Sequence, residues 1–334
     1  MLPGLPHDLG FECLTRLPYS DYPLASRVSR QWCHLLQSDN FYHHRKKSGH
    51  TRKLACLIQA LPQQHLAHPH KPTASPAYAI TVFDPISLSW DRIAPVPDYP
   101  FGLPLFCQPA SYEGKLVVMG GWDPVSYEPV TDVFVYDFRR SEWKKGKNMP
   151  SKRSFFAIGA HEGRVYVAGG HDENKNALKT AWVYDLGKEE WRELESMREE
   201  RDECEGRVVG DELWVVSGYR TERQGQFEGT VEAYGFGSGK WRRMEGMWEA
   251  GRSPRLCGGG GKDGSWGEVE GKVGVGVCVV RLGSVTMATG SEYQGAPHAF
   301  YLHQVQEGQN CKFTQISAPP QFSGFVQSGC CLEI

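Results

Sequence analysis

A mainly β fold of repeated four-stranded sheets, preceded by a small helical module, is what this sequence predicts. Three observations carry it. Apolar residues follow a helical period up to about residue 50 and a two-residue period after it. Trp90, Trp143, Trp191 and Trp241 recur about every 50 residues. Other markers keep the same order around them: the pairs Gly120-Gly121, Gly169-Gly170 and Ser217-Gly218, then Tyr136, Tyr184 and Tyr234, each seven residues before its tryptophan.

The helical part comes first. Leu9, Cys13, Leu14 and Leu17 share one helix face, and Val28, Trp32, Leu35 and Leu36 share another. Pro6 and Asp8 stand where a turn proline and an N-cap acceptor belong. Pro18 ends the first helix and Pro23 opens the next. Asp39 is read as the cap of a last helix carrying Phe41 and Arg45.

The strands follow. One unit reads as Phe155 to Ala160, Arg164 to Ala168, Ala181 to Asp185 and Glu190 to Leu194. Such a unit cannot bury both faces alone, so units must stack, and radial stacking makes a β-propeller. Residues 51–93 supply three strands, Lys53 to Ile58, Tyr78 to Phe83 and Ser89 to Ile93. The missing first strand is assigned to Phe325 to Ile334, which closes the ring and leaves no open edge. Further blades fall at about 101–146, 153–194, 201–244 and 273–317, the last with Phe313 in the tryptophan place. The short glycine-rich stretch 247–272 is read as a degenerate fifth blade of six, with a five-bladed ring as the alternative.

Composition narrows the function. A net charge of −2 over 334 residues does not suit a polyanion or membrane-surface binder. The N-terminus has neither a basic nor an apolar leader segment, and the longest apolar run near the C-terminus, Val273 to Val280, is too short to span a bilayer. Ten scattered cysteines without a C-x-x-C pair suit a reducing compartment, the cytoplasm or the nucleus.

The repeat, a double glycine followed by a spaced Tyr and Trp, resembles the kelch repeat. Leu5-Pro6-x-Asp8-Leu9, Cys13-Leu14, Leu17-Pro18 and Val28-x-x-x-Trp32 resemble an F-box. The runs Gly102 to Cys107, Arg198 to Cys204 and Gln224 to Phe227 are similar to a plant subgroup of F-box/kelch-repeat proteins. The resemblance implies an F-box over 1–48 and a kelch propeller over 51–334. It also implies a non-catalytic substrate-recruiting subunit of a Skp–cullin–F-box ubiquitin ligase. Its partners would be a Skp-type adaptor, through it a cullin, and a target such as phenylalanine ammonia-lyase or a type-B response regulator of cytokinin signalling. No cofactor is implied. The alternatives are a kelch scaffold without ligase contact and a metal-dependent kelch enzyme, which would need converging His and Tyr ligands.

The resemblance assigns Leu5, Pro6, Leu9, Leu14, Pro18, Val28 and Trp32 to the hydrophobic positions of the F-box, part of which contact the adaptor. For Leu14 and Val28, contact and internal core are equally open. Target binding belongs to the rim formed by the second-to-third-strand loops and the inter-blade loops. There stand Tyr127, His171, Tyr219 and Phe227, with Arg153, Arg201 and Arg252 recurring at one phase of the repeat. A ring of guanidinium groups could fork onto a partner's carboxylates, or could instead hold loops by pairing with neighbours such as Asp202 and Glu203.

Other motifs carry less. Gly259-x-Gly261-x-x-Gly264 matches a dinucleotide fingerprint by letters, but no helix start follows to hold a pyrophosphate. His65, His68 and His70 lie in a Pro/Gln-rich loop, and Arg45, Lys46, Lys47, Arg52 and Lys53 read as a solvated helix end.

Overall fold

The computed structural model describes residues 6–62, 76–256, 274–304 and 314–334. Its helical module contains α1 (His7–Thr15), a 3-10 turn (Tyr19–Asp21), α2 (Tyr22–Ala25), α3 (Arg30–Leu36) and α4 (Asp39–Lys47). Leu14, Tyr22, Ala25, Leu36 and Phe41 form its core. Serines cap the last two helices: Ser29 Oγ accepts from the Trp32 amide and Ser38 Oγ from the Phe41 amide, both at 3.2 Å. Two expected caps are therefore corrected. Asp39 is the first residue inside α4, and Asp8 lies within the first turn of α1, whose N-cap is Pro6. The second predicted helix is also shorter than its apolar pattern, because Ser29 starts α3 and leaves Val28 in the preceding turn.

Five four-stranded antiparallel sheets follow among the described residues. The first holds β1 (Lys53–Ala60), β2 (Tyr78–Asp84) and β3 (Ser89–Arg92). The second is β4 (Gln108–Tyr112), β5 (Lys115–Met119), β6 (Val133–Asp137) and β7 (Glu142–Lys145). The third is β8 (Ala157–His161), β9 (Arg164–Ala168), β10 (Ala181–Asp185) and β11 (Glu190–Glu193). The fourth is β12 (Glu205–Val209), β13 (Glu212–Val216), β14 (Val231–Gly235) and β15 (Trp241–Met244). The fifth is β16 (Val275–Leu282), β17 (Val285–Ser291), β18 (Ala299–Gln304) and β19 (Thr314–Ile316). Finally β20 (Val326–Glu333) returns to pair with β1, from Lys53↔Glu333 to Gln59↔Val326, as the missing strand requires. The innermost strands β4, β8, β12, β16 and β20 line a central channel of about 640 Å³.

The repeat markers have physical reasons. In each outer strand pair the tyrosine faces the tryptophan directly: Tyr136↔Trp143, Tyr184↔Trp191 and Tyr234↔Trp241, with Phe83↔Trp90 in the first blade. Three of these indoles donate to a carbonyl in the loop leaving the previous blade: Trp143 to Ala94 (2.8 Å), Trp191 to Lys147 (2.9 Å) and Trp241 to Glu195 (2.6 Å). Trp90 instead packs on Phe300 of the fifth sheet, 4.9 Å between centroids, across the closure. The second glycine of each pair has left-handed backbone and no room for a side chain. A Cβ on Gly121 would stand 2.4 Å from the Leu105 carbonyl oxygen, and one on Gly170 2.4 Å from that of Ser154.

The stretch assigned to a degenerate blade holds no strand among its described residues, 247–256. Trp248 is buried there, its indole donating to the Arg252 carbonyl at 2.8 Å, and a 3-10 turn (Pro254–Leu256) packs on β16. The rest of that stretch lies outside the described residues, as do the Gly259–Gly264 motif, the histidines at 65, 68 and 70, and Phe313.

Candidate functional site

The module sits on one face of the propeller, against the β4–β5 and β6–β7 hairpins and the ends of β1 and β20. Arg139, enclosed at that junction, reaches Asp39 of α4 at 2.6 Å and holds its carboxyl below the usual carboxylate range. Tyr42 donates to the Glu333 carbonyl at 3.2 Å, and Lys46 lies 3.7 Å from the Glu333 carboxylate. The basic cluster is a solvated helix end only in part: Lys46, Lys47 and Lys53 are exposed, while the two arginines are tied down. Arg45 is buried, bonding the carbonyls of Leu17 (3.0 Å) and His50 (2.7 Å), and burial pulls its pKa down to about 10. Arg52 pairs with the buried Asp84 at 2.9 Å.

The module also leaves several apolar side chains exposed. Leu9 is 54% exposed, Val28 63% and Leu24 67%. Pro6 and Pro18 are exposed too. Trp32 is half-buried against the module core, Leu14 is 2% exposed within it, and Leu5 lies outside the described residues. Leu14 is thus unavailable as a contact, because α1 turns it inward against Leu36 and Phe41. Leu24 escaped the sequence reading. Its signal was local: in the one-turn helix α2, Tyr22 and Ala25 point inward, so Leu24 must point out.

On the opposite face the structure corrects the guanidinium ring. Arg153 and Arg201 are each only 1% exposed. Arg153 bonds the Gly169 (3.1 Å) and Thr180 (3.2 Å) carbonyls and Thr180 Oγ1 (2.9 Å), with its pKa drawn down to about 10 by burial. Arg201 repeats the arrangement one blade on, with Ser217 O (2.7 Å), Thr230 O (3.3 Å), Thr230 Oγ1 (2.8 Å) and the buried Glu232 carboxylate (3.2 Å). Each guanidinium fork clamps the splayed ends of the second and third strands of its own blade, and no face is left for a partner. Arg252 does not repeat this role; it lies over the Trp248 ring at 5.7 Å and pairs with Glu249 at 3.4 Å.

His171 and Tyr219 are buried as well, Tyr127 is exposed, and Phe227 is half-buried beside Tyr219 at 5.4 Å between ring centroids. His171 belongs to a chain of hydrogen bonds running along the rim. The Trp122 indole donates to Ser154 Oγ (2.8 Å), Ser154 Oγ meets His171 Nε2 (2.8 Å), and His171 Nδ1 meets both Asp202 oxygens (2.9 Å). The Ser–His–Asp order matches a hydrolytic relay. Here, however, Ser154 is buried and its Oγ already accepts the indole N–H. The row floors a basin of about 250 Å³ walled by Phe106, Phe155, Trp122, Glu203 and Tyr219. Phe106, Phe155 and Glu203 occupy one phase of three successive repeats, and all three have left-handed backbone, with φ of 60°, 56° and 48°. The sequence reading missed Phe106 and Phe155, although the repeat carried their signal: each stands just before the first strand of its blade, as Glu203 does.

Comparison with known proteins agrees with this architecture. Residues 2–44 match the F-box domain and residues 71–257 match the KLHDC2/KLHL20/DRC7 Kelch-repeats domain. The F-box/kelch-repeat protein At1g15670 of Arabidopsis thaliana is 34% identical over 366 residues, covering 100% of this chain and 99% of its own. This chain belongs to the F-box/kelch-repeat proteins. Two further Arabidopsis thaliana members of the family are similar over about two thirds of their length: At1g80440, 39% identical over 243 residues, and SKIP20, 36% identical over 285 residues. A solved structure titled "Structure of YjhT" overlaps 76% of the chain at a TM-score of 0.46 and 15% identity, a likeness that carries no argument here.

Proposed function

We propose that this F-box/kelch-repeat protein is the substrate-recognition subunit of a Skp–cullin–F-box ubiquitin ligase. The module would dock a Skp-type adaptor, and through it a cullin, while the propeller rim holds the target for ubiquitination. One observation carries the reading: two unpartnered surfaces of different chemistry point away from each other across a packed junction. The apolar tip, Leu9, Leu24 and Val28, suits the centre of a stable protein interface. The rim basin lies on the face of the β5–β6 and β9–β10 loops, opposite the hairpins that hold the module. The target class proposed from the resemblance at Gly102 to Cys107 and Arg198 to Cys204 is phenylalanine ammonia-lyase or a type-B response regulator. The chain itself would make no bonds and would act by concentrating the target beside the transferring subunits. The protein would act in the cytoplasm or nucleus, which its scattered cysteines without a C-x-x-C pair suit.

Co-expression with a Skp-type adaptor tests the docking half. The wild type should co-elute with the adaptor on size exclusion, and Leu9→Asp/Leu24→Asp should lose it while keeping its circular dichroism and melting temperature. Failure of the wild type to co-elute, or undiminished binding by the double variant, contradicts the proposal.

A further inference from the structure

We infer that the rim basin receives a single basic side chain, arginine or lysine, from the target protein. The inference rests on the reading above that the rim holds the target. Its volume, about 250 Å³, is below the ~300–1,000 Å³ of small-molecule pockets and suits one long side chain. Its walls are aromatic: Phe106 and Phe155 stand 4.5 Å apart between centroids, Phe155 and His171 5.3 Å, Trp122 and His171 6.3 Å. Ring faces attract a cation, most of all where water is excluded. The chain itself lays a guanidinium on one of these rings, Arg255 over Phe155 at 5.6 Å from the channel side.

The carboxylates complete the match. Asp202 has its oxygens engaged from within, by two contacts to His171 and by the Glu203 amide at 2.7 Å. Glu203 is different. Its Oε1 accepts from the uncharged Tyr219 hydroxyl at 3.1 Å, which orients the carboxylate in the basin wall and leaves its charge for an incoming cation. The backbone explains how these groups come together. Phe106, Phe155 and Glu203 are repeat-equivalent and all left-handed, as other repeat-equivalent turn residues of the propeller are, and this turns two rings and one carboxylate toward one basin. Lys175 stands exposed at the edge and opposes a cation, so its removal should strengthen binding.

The test is a peptide array: random nonapeptides with the centre fixed as Arg, Lys, Glu, Leu or Trp, probed with the full chain. Arg- and Lys-centred sets should be retained at least about tenfold over Glu- and Leu-centred sets. Glu203→Gln, which keeps the acceptor for Tyr219, should abolish that preference; Lys175→Asn should sharpen it; and Glu203→Lys should turn it toward Glu-centred peptides. Retention without any preference for a basic centre, or a basic preference that survives Glu203→Gln, overturns the inference and leaves the rim reading standing. Retention of no peptide of any kind overturns both.

Discussion

Replacing Arg201 by methionine would leave the Glu232 carboxylate, equally buried, without its cation. Breaking one side of such a pair costs about 3–5 kcal/mol, whereas replacing both sides by apolar groups can be close to neutral. Arg201→Met should therefore lower stability by about that amount in urea denaturation, and adding Glu232→Leu should recover a large part of it. A single variant as stable as wild type would show that the guanidinium clamp does not hold the blade. The same residue shows what a sequence conceals. The recurrence of Arg153 and Arg201 was legible, but recurrence fits a partner-binding ring and an internal clamp alike. Only the carbonyls of Gly169, Thr180, Ser217 and Thr230, brought around them by the strand ends, decide for the clamp. Conversely, Phe106, Phe155 and Glu203 were in view as letters; their left-handed backbone, which turns them toward one point, was not.

Among the elements, the closing strand β20 was the most legible, because a first blade one strand short needs a partner from elsewhere in the chain. Helix starts were less so: a serine and an aspartate in succession, Ser38-Asp39, give two plausible caps, and only hydrogen-bond geometry separates them. The closure has a built-in acid weakness. His298 lies between β17 and the start of β20, its Nε2 meeting Thr289 Oγ1 at 3.0 Å and accepting from the Val326 amide at 3.3 Å. Its Nδ1 is enclosed with no hydrogen-bond partner among the described residues. Burial brings its pKa down to about 4 from an ordinary 6.5. Between those values the unfolded chain binds the proton and the folded chain does not. The stability contribution is thus present above pH 6.5 and is lost as the pH falls toward 4, by up to roughly 3 kcal/mol. The urea midpoint should fall between pH 7 and 4.5, and His298→Gln should flatten that dependence. Equal slopes in both proteins would contradict this assignment.

Across the whole molecule, the change of period near residue 50 and the repeat of about 50 residues made both parts legible in the sequence. The junction between them was not readable. It depends on Arg139, Asp39, Tyr42 and Glu333, which are distant in sequence and meet only when the ring has closed. That junction separates two surfaces that the proposed function needs to be independent. Affinity purification of the full chain in three forms tests this most directly: wild type, the tip variant Leu9→Asp/Leu24→Asp, and the rim variant Phe155→Ala/Glu203→Gln. The account predicts that the tip variant loses adaptor and cullin and keeps its targets, while the rim variant keeps adaptor and cullin and loses its targets. Loss of both sets together by either folded variant, or of neither by both, would contradict it.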